Sequence, residues 1–204
     1  MIKAILLAAG QSKRMKSENK LIKLYKNKPL INYSLNVLKK SKVNKIIIVL
    51  GHQHKELKKI IKKNKKIIFT YNKNYKKGMA SSIKNGLKKI SKNDKGFIVA
   101  QSDMPFVKQS DINKICRSIN SKKFLVHALK YKTRVGNPIG FDSSLIKKFK
   151  NIKGQLGAKF MVKRLKNRTN FIKTMSIKSF KDFDKASDFR SWSSNFNSKK
   201  QKNY

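Results

Sequence analysis

Near the N-terminus stands Leu7-Ala8-Ala9-Gly10-Gln11-Ser12-Lys13-Arg14-Met15, followed by Lys20. It comes directly after a short apolar run, Ile2 to Leu7. Small residues at the end of a strand let a ligand approach the backbone, whose N–H groups can face anionic oxygens. Arg14 and Lys20 supply the positive charge that a triphosphate requires. The chemistry implied is phosphate handling. The spacing matches neither G-x-G-x-x-G nor G-x-x-x-x-G-K-[ST], so neither the dinucleotide fingerprint nor the P-loop is supported.

Asp103 is the second anchor. The run Phe97–Gln101 reads as a buried strand and ends at Ser102-Asp103-Met104-Pro105, with Pro105 stopping it. One carboxylate at the carboxyl edge of a sheet suits Mg²⁺. That ion takes hard oxygen ligands and usually only one or two carboxylates alongside phosphate oxygens. Asp182-Phe183-Asp184 follows a late apolar run. In an extended segment its two carboxylates point the same way. Asp184 is favoured over Asp182 as the second metal ligand, and a helix-capping role could hold at the same time.

The first loop resembles the L-A-A-G-x-S-x-R-M-G…K signature of MobA-like nucleotidyltransferases, with Lys16 where that signature has its second glycine. Lys at that position implies a stiffer or differently turned loop. Gln101-Ser102-Asp103-Met104-Pro105 resembles the family's G-D-M-P, and residues 182–189 resemble D-I-D-T-P-x-D-F, with Lys185-Ala186 in place of Thr-Pro. Gly78-Met79-Ala80-Ser81-Ser82 resembles a segment of the branch that makes the cytosine dinucleotide form of the molybdenum cofactor. Gly136-Asn137-Pro138 and Gly154-Gln155-Leu156-Gly157 resemble two more loops of that branch, with Asn137 and Gln155 replacing titratable residues.

The resemblance runs from Met1 to about Trp192 and implies a reaction: CTP plus a molybdopterin-type acceptor gives the dinucleotide cofactor and pyrophosphate. It also implies roles. Leu7, Ala8, Ala9, Gly10, Ser12, Gly78, Ser81 and Ser82 would bind nucleotide. Gly136, Asn137, Pro138 and Gly157 would bind the acceptor. Asp103 and Asp184 would hold Mg²⁺, with Arg14, Lys20 and Asp103 as the catalytic set. The alternatives are a GTP-using molybdenum cofactor guanylyltransferase and another MobA-like nucleotidyltransferase acting on a different phosphorylated acceptor. A monomer is expected, with transient contact to a molybdoenzyme or its insertion chaperone.

These residues need a scaffold, and the periodicity supplies one. Apolar runs at Ile2–Leu7, Lys45–Leu50, Ile67–Tyr71 and Phe97–Gln101 alternate with helical spacing in between. The helical faces are Ile31/Leu35/Leu38, opened by Pro29; Leu57/Ile60/Ile61; Met79/Ile83/Leu87/Ile90; and Ile112/Ile115/Cys116/Ile119. Later come strands at 124–129, 135–141 and 171–176 and helices near 145–149 and 157–165. The fold class expected is α/β: a single-domain, Rossmann-like, mostly parallel sheet with helices on both faces, of the nucleotide-diphospho-sugar transferase type. It spans residues 1–192, with a disordered tail over 193–204. Ligands should lie outside the carboxyl ends of the strands.

The chain of 204 residues carries 52 Lys+Arg against 9 Asp+Glu, a formal +43. A basic nucleic-acid-binding protein is the reading from a different class. It is disfavoured because the charge is nearly all Lys, spread between apolar residues rather than gathered in a block. No specific nucleic acid and no membrane are expected as partners, and weak salt-sensitive attraction to polyanions is. Cys116 stands alone, which excludes an intrachain disulfide and fits a reducing cytoplasm. His52 and His54 lack further zinc ligands nearby and read as loop residues, and His127 as a strand residue.

Overall fold

The computed structural model describes residues 1–15 and 19–190. Lys16 and the expected tail over 193–204 lie outside the described residues.

Strand β1 (Ile2–Ala8) sends Ile2, Ala4, Leu6 and Ala8 into one core and Ile5 into the other. A strand covered on both faces must be apolar on both, which is why the run is continuous rather than alternating. A loop and a small hairpin follow, β2 (Leu24–Tyr25) and β3 (Lys28–Pro29), paired antiparallel. Helix α1 (Ile31–Lys40) buries Ile31, Leu35 and Leu38. Strand β4 (Lys45–Leu50) repeats the division, Ile46, Ile48 and Leu50 against Ile47 and Val49. Helix α2 (His54–Ile60), strand β5 (Ile67–Tyr71), helix α3 (Met79–Leu87) and strand β6 (Gly96–Gln101) complete the first half. The second half runs α4 (Gln109–Asn120), β7 (Val126–Tyr131), β8 (Arg134–Asp142), a 3₁₀ segment (Ser143–Asn151), α5 (Lys159–Arg164), β9 (Thr169–Lys173) and α6 (Ala186–Arg190).

Seven strands form one sheet in the order β5-β4-β1-β6-β8-β7-β9. All pairs are parallel except β6–β8 and β8–β7, so β8 alone runs against the rest. Helices α1, α2 and α4 cover one face, and α3, α5 and the 3₁₀ segment cover the other. The chain steps outward from β1 to β4 and β5, then crosses back to place β6 on the opposite side of β1. That reversal opens a crevice at the carboxyl ends of β1 and β6, where a ligand is expected in a sheet of this kind.

Three sequence expectations shift. Pro29 closes the small hairpin rather than opening α1, which starts at Ile31. Leu30 and Ile31 donate their N–H groups to Lys23 and Leu21, and this fastens the stretch to the preceding loop. The strand expected at 171–176 begins at Thr169, because its pairing with β7 sets Thr169 opposite Val126. The helix expected near 145–149 is a 3₁₀ segment.

Candidate active site

The loop after β1 keeps its shape through its own contacts. Ser12 adopts a left-handed φ of 53°, which a non-glycine residue takes only when held. Its carbonyl accepts from Met15 N–H at 2.8 Å and its hydroxyl accepts from Lys20 N–H at 3.1 Å. Met15 is buried and roots the turn in the core. Ser12, expected to touch nucleotide, thus also closes the loop onto Lys20. Among the described residues nothing lies within 4 Å of where a Cβ on Gly10 would stand, and Gly10 lines the cleft.

Asp103 sits just past β6. Ser102 donates its hydroxyl to the Leu7 carbonyl, tying the Asp103 turn to β1. From behind, the buried Ser34 of α1 donates to the Met104 carbonyl at 3.1 Å. Neither serine was singled out as functional from the sequence. Ser102 had a signal in its position beside Asp103, and Ser34 had none. The segment bearing Asp182 and Asp184 reaches the same turn, where Phe183 N–H donates to the Asp103 carbonyl at 3.0 Å. Phe183 is fully buried, so Asp182 and Asp184 flank it and both line the cleft. Asp188 accepts the N–H groups of Asp184 and Lys185 at 2.9 and 2.8 Å. Burial works to raise its carboxyl pKa, but these donors and Lys181 outweigh it and hold the carboxyl below its ordinary value.

The charged groups converge. Lys20 Nζ lies 2.6 Å from Asp103 Oδ2 and 2.7 Å from Asp184 Oδ1, and Arg14 lies 2.7 Å from Asp184 Oδ2. The Lys20 side chain is 15% exposed and that of Arg14 70%, so one cation is fixed and the other is at the surface, where such a pair contributes little to stability. Burial alone would lower the Lys20 pKa; Asp103 and Asp184 outweigh it and raise it. Burial pushes the Asp103 carboxyl up, against the pull of Lys20, and Asp182 adds to the push. Asp103 Oδ1 is buried with no hydrogen-bond partner.

The cleft has a volume of about 630 Å³, within the range of small-molecule sites. Leu7, Ala9, Gly10, Ser12, Arg14, Lys20, Gly78, Ser82, Asp103 and Asp184 line it, together with Tyr75, Gln101 and Gln155, which were not expected there. Ala8 faces the core instead. Ser81 does not line the cleft. Its hydroxyl lies within 2.9 Å of the Asn74 and Gly78 carbonyls and accepts from Asn72 at 2.9 Å. The N-terminus of α3 is partly occupied as well, since Ala80 N–H donates to the Gly154 carbonyl. Gly78 has a φ of +96° and a Cβ there would stand 2.4 Å from that same carbonyl, so only glycine fits.

Gly136, Asn137 and Pro138 lie on β8 where it passes the carboxyl end of β6, beside the cleft but not among its lining residues. The Asn137–Pro138 bond is cis, and Asn137 Oδ1 is buried without a partner. Gly157 packs against the Met79 sulfur. His52 donates its N–H to Ala9, and the His54 ring lies 4.4 Å from the Tyr71 ring. Among the described residues no group of three His, Cys, Asp or Glu could hold a metal by itself, and no helix is long and apolar enough to cross a membrane.

The chain is 31% identical over 115 residues to the bifunctional protein GlmU of Thermosipho melanesiensis, covering 56% of this chain and 24% of that protein. It is 35% identical over 127 residues to the 2-C-methyl-D-erythritol 4-phosphate cytidylyltransferase of Lachnoclostridium phytofermentans, covering 60% and 53%. The matches thus span about a quarter to a half of these relatives' lengths. In fold it matches a nucleotidyl transferase from Methanothermobacter at a TM-score of 0.81 and 16% identity, over 98% and 99% of the two chains. It also matches a manganese complex of Rv0371C from Mycobacterium tuberculosis at a TM-score of 0.70 and 16% identity, over 85% and 87%. The profile of the MobA-like NTP transferase domain matches residues 4–169, and the chain, built on a mostly parallel seven-stranded sheet, belongs to that family.

Proposed function

We propose that the protein transfers a cytidylyl group from CTP to the terminal phosphate of a molybdopterin-type acceptor and releases pyrophosphate. The observation that carries this reading is the convergence of Arg14, Lys20, Asp103 and Asp184 in one cleft with the open backbone at Gly10. An acceptor phosphate oxygen attacks the α-phosphorus, a new P–O bond forms, and the bond to the β-phosphate oxygen breaks in line. Such transfers rest on positioning and charge stabilisation, so no nucleophile from the protein is required.

Each residue has a part. The backbone of Leu7 to Gly10 receives phosphate oxygens, and Gly78 and Ser82 border the nucleotide. Arg14 and Lys20 stabilise the charge that develops on the departing pyrophosphate. Gly136, Asn137, Pro138 and Gly157 form the acceptor side. Asp103 Oδ1, a buried anionic oxygen without a partner, is a donor of the type Mg²⁺ takes. Asp103 and Asp184 would hold the ion, with the nucleotide's phosphates completing its shell. When bound, Mg²⁺ neutralises charge on those phosphates. The basic surface draws anionic substrates toward the cleft.

The similarity to a cytidylyltransferase supports CTP and also favours a second acceptor, 2-C-methyl-D-erythritol 4-phosphate. Pyrophosphate release with each of the four NTPs, with either acceptor, with and without Mg²⁺, tests both readings. Turnover with CTP and molybdopterin alone is the expected result. Turnover with GTP makes the enzyme a guanylyltransferase, turnover with methylerythritol phosphate establishes the second reading, and no turnover with any pair overturns both.

A further inference from the structure

The two carboxylates assigned above to the metal already carry a cation. Lys20 Nζ touches Asp103 Oδ2 at 2.6 Å and Asp184 Oδ1 at 2.7 Å, and Arg14 takes Asp184 Oδ2 at 2.7 Å. Of the four carboxylate oxygens, Asp103 Oδ1 alone has no partner among the described residues. Mg²⁺ binds oxygen at about 2.0–2.1 Å, so an ion on these carboxylates would stand within a few ångströms of the Lys20 ammonium. Like charges that close repel strongly in a partly buried site.

We propose that Lys20 is a competing counter-ion at the metal site, holding Asp103 and Asp184 until a nucleotide draws it away, so that nucleotide and metal bind with positive coupling. The inference rests on the reading of these two carboxylates as metal ligands. Three observations carry it. First, the cluster of Arg14, Lys20, Asp103 and Asp184 is internally neutral, and a divalent ion added alone would leave it doubly positive in a chain of +43. A polyanionic triphosphate reverses that balance. Second, both cations line the cleft with the Gly10 loop, so a triphosphate there lies within their reach. Third, lysine is a compact charge on a flexible stem, able to exchange a carboxylate for a phosphate without moving the backbone. The Lys20 backbone is meanwhile pinned to the Ser12 hydroxyl. The coupling is reciprocal: whatever nucleotide adds to metal affinity, metal adds to nucleotide affinity.

The test is a Mn²⁺ titration of the full chain followed by electron paramagnetic resonance, with and without α,β-methylene-CTP, corrected for Mn²⁺ held by the free analogue. The wild type should bind Mn²⁺ weakly alone and about 10–100-fold more tightly with the analogue. Lys20→Met should bind Mn²⁺ alone about 10-fold more tightly than wild type and lose most of the gain from the analogue. Lys20→Arg keeps the charge and should bind Mn²⁺ alone as weakly as wild type, and circular dichroism of both variants controls for damage to the fold. Unchanged or weaker Mn²⁺ binding by folded Lys20→Met overturns the proposal, as does equal wild-type affinity with and without analogue. Asp103→Asn separates the two levels. If it abolishes Mn²⁺ binding while Lys20→Met changes nothing, the metal site stands and the competition falls. If it leaves Mn²⁺ binding intact, the assignment of the metal falls and the competition with it.

Discussion

Lys20 crosses 83 positions of sequence to place its ammonium 2.6 Å from Asp103 Oδ2. The pair joins the two loops that border the crevice between β1 and β6, and it makes the loop after β1 and the Asp103 turn one electrostatic unit. Removing either partner leaves the other partly buried and less compensated, an arrangement costly to break.

Asp103→Asn keeps the shape of the side chain and removes the charge. Turnover should fall by at least about 100-fold, the usual scale for losing one charge-stabilising group. The Ser102, Ser34 and Phe183 contacts that shape the turn use other atoms, so the far-ultraviolet circular dichroism should be unchanged. Activity within a fewfold of wild type would remove Asp103 from the chemistry.

Gly10 and Gly78 should separate binding from folding. A methyl on Gly10 meets no protein atom within 4 Å, so Gly10→Ala should melt like wild type yet raise KM for nucleotide by about 10-fold, equivalent to about 1.4 kcal/mol. A methyl on Gly78 must fit a φ of +96° and a carbonyl 2.4 Å away, so Gly78→Ala should cost about 1–3 kcal/mol in urea unfolding. The opposite pattern would show that the open space at Gly10 is not used by ligand.

Ser34 does not line the cleft, yet its hydroxyl holds the carbonyl of Met104. Ser34→Ala should lose about 1 kcal/mol of stability. It should lower kcat more than it raises KM, because the turn it supports carries Asp103 rather than the nucleotide-facing backbone. A pure stability loss with normal kcat would make Ser34 a packing residue only.

Acid should act through His127. Burial pushes its imidazole down to about 4, from 6.5 in an unconstrained chain. Between those values the unfolded chain binds the extra proton, so stability is full above the higher value and falls as pH drops toward the lower one. The loss at stake is about 3 kcal/mol. Ser118 is hydrogen-bonded to the ring at 2.7 Å, and His127→Gln keeps a polar partner for it. Urea unfolding at pH 7 and pH 4.5 should show a smaller acid loss in the variant. Equal losses would place the acid sensitivity elsewhere.

Much of the scaffold was readable in the sequence because β1, β4 and β6 are nearly continuous apolar runs whose burial leaves little choice of conformation, and the half-buried edge strand β5 is apolar and β-branched at its start. The later strands were placed within three residues, since polar ends such as Thr169 join a ladder through backbone pairing that periodicity does not register. Pro29 was misjudged for a similar reason: its partner is Leu24 in a hairpin with no apolar alternation. Residue type and position made Arg14, Lys20, Asp103 and Asp184 visible one by one. Their mutual pairing was not, because nothing local in a sequence says which charge meets which. Ser81 shows the opposite limit, a polar residue in a functional-looking segment that spends its hydroxyl on holding its own turn together.

The hydrogen bond from Phe183 to Asp103 also bears on when a newly made molecule becomes competent. The loop after β1, β4, β5, β6 and Asp103 all lie within the first 103 residues. Asp184 pairs with a lysine 164 positions earlier and arrives only after β9 has been laid down. A chain ending before β9 would lack Asp182 and Asp184, so one wall of the cleft is supplied by the last elements to be synthesised among the described residues.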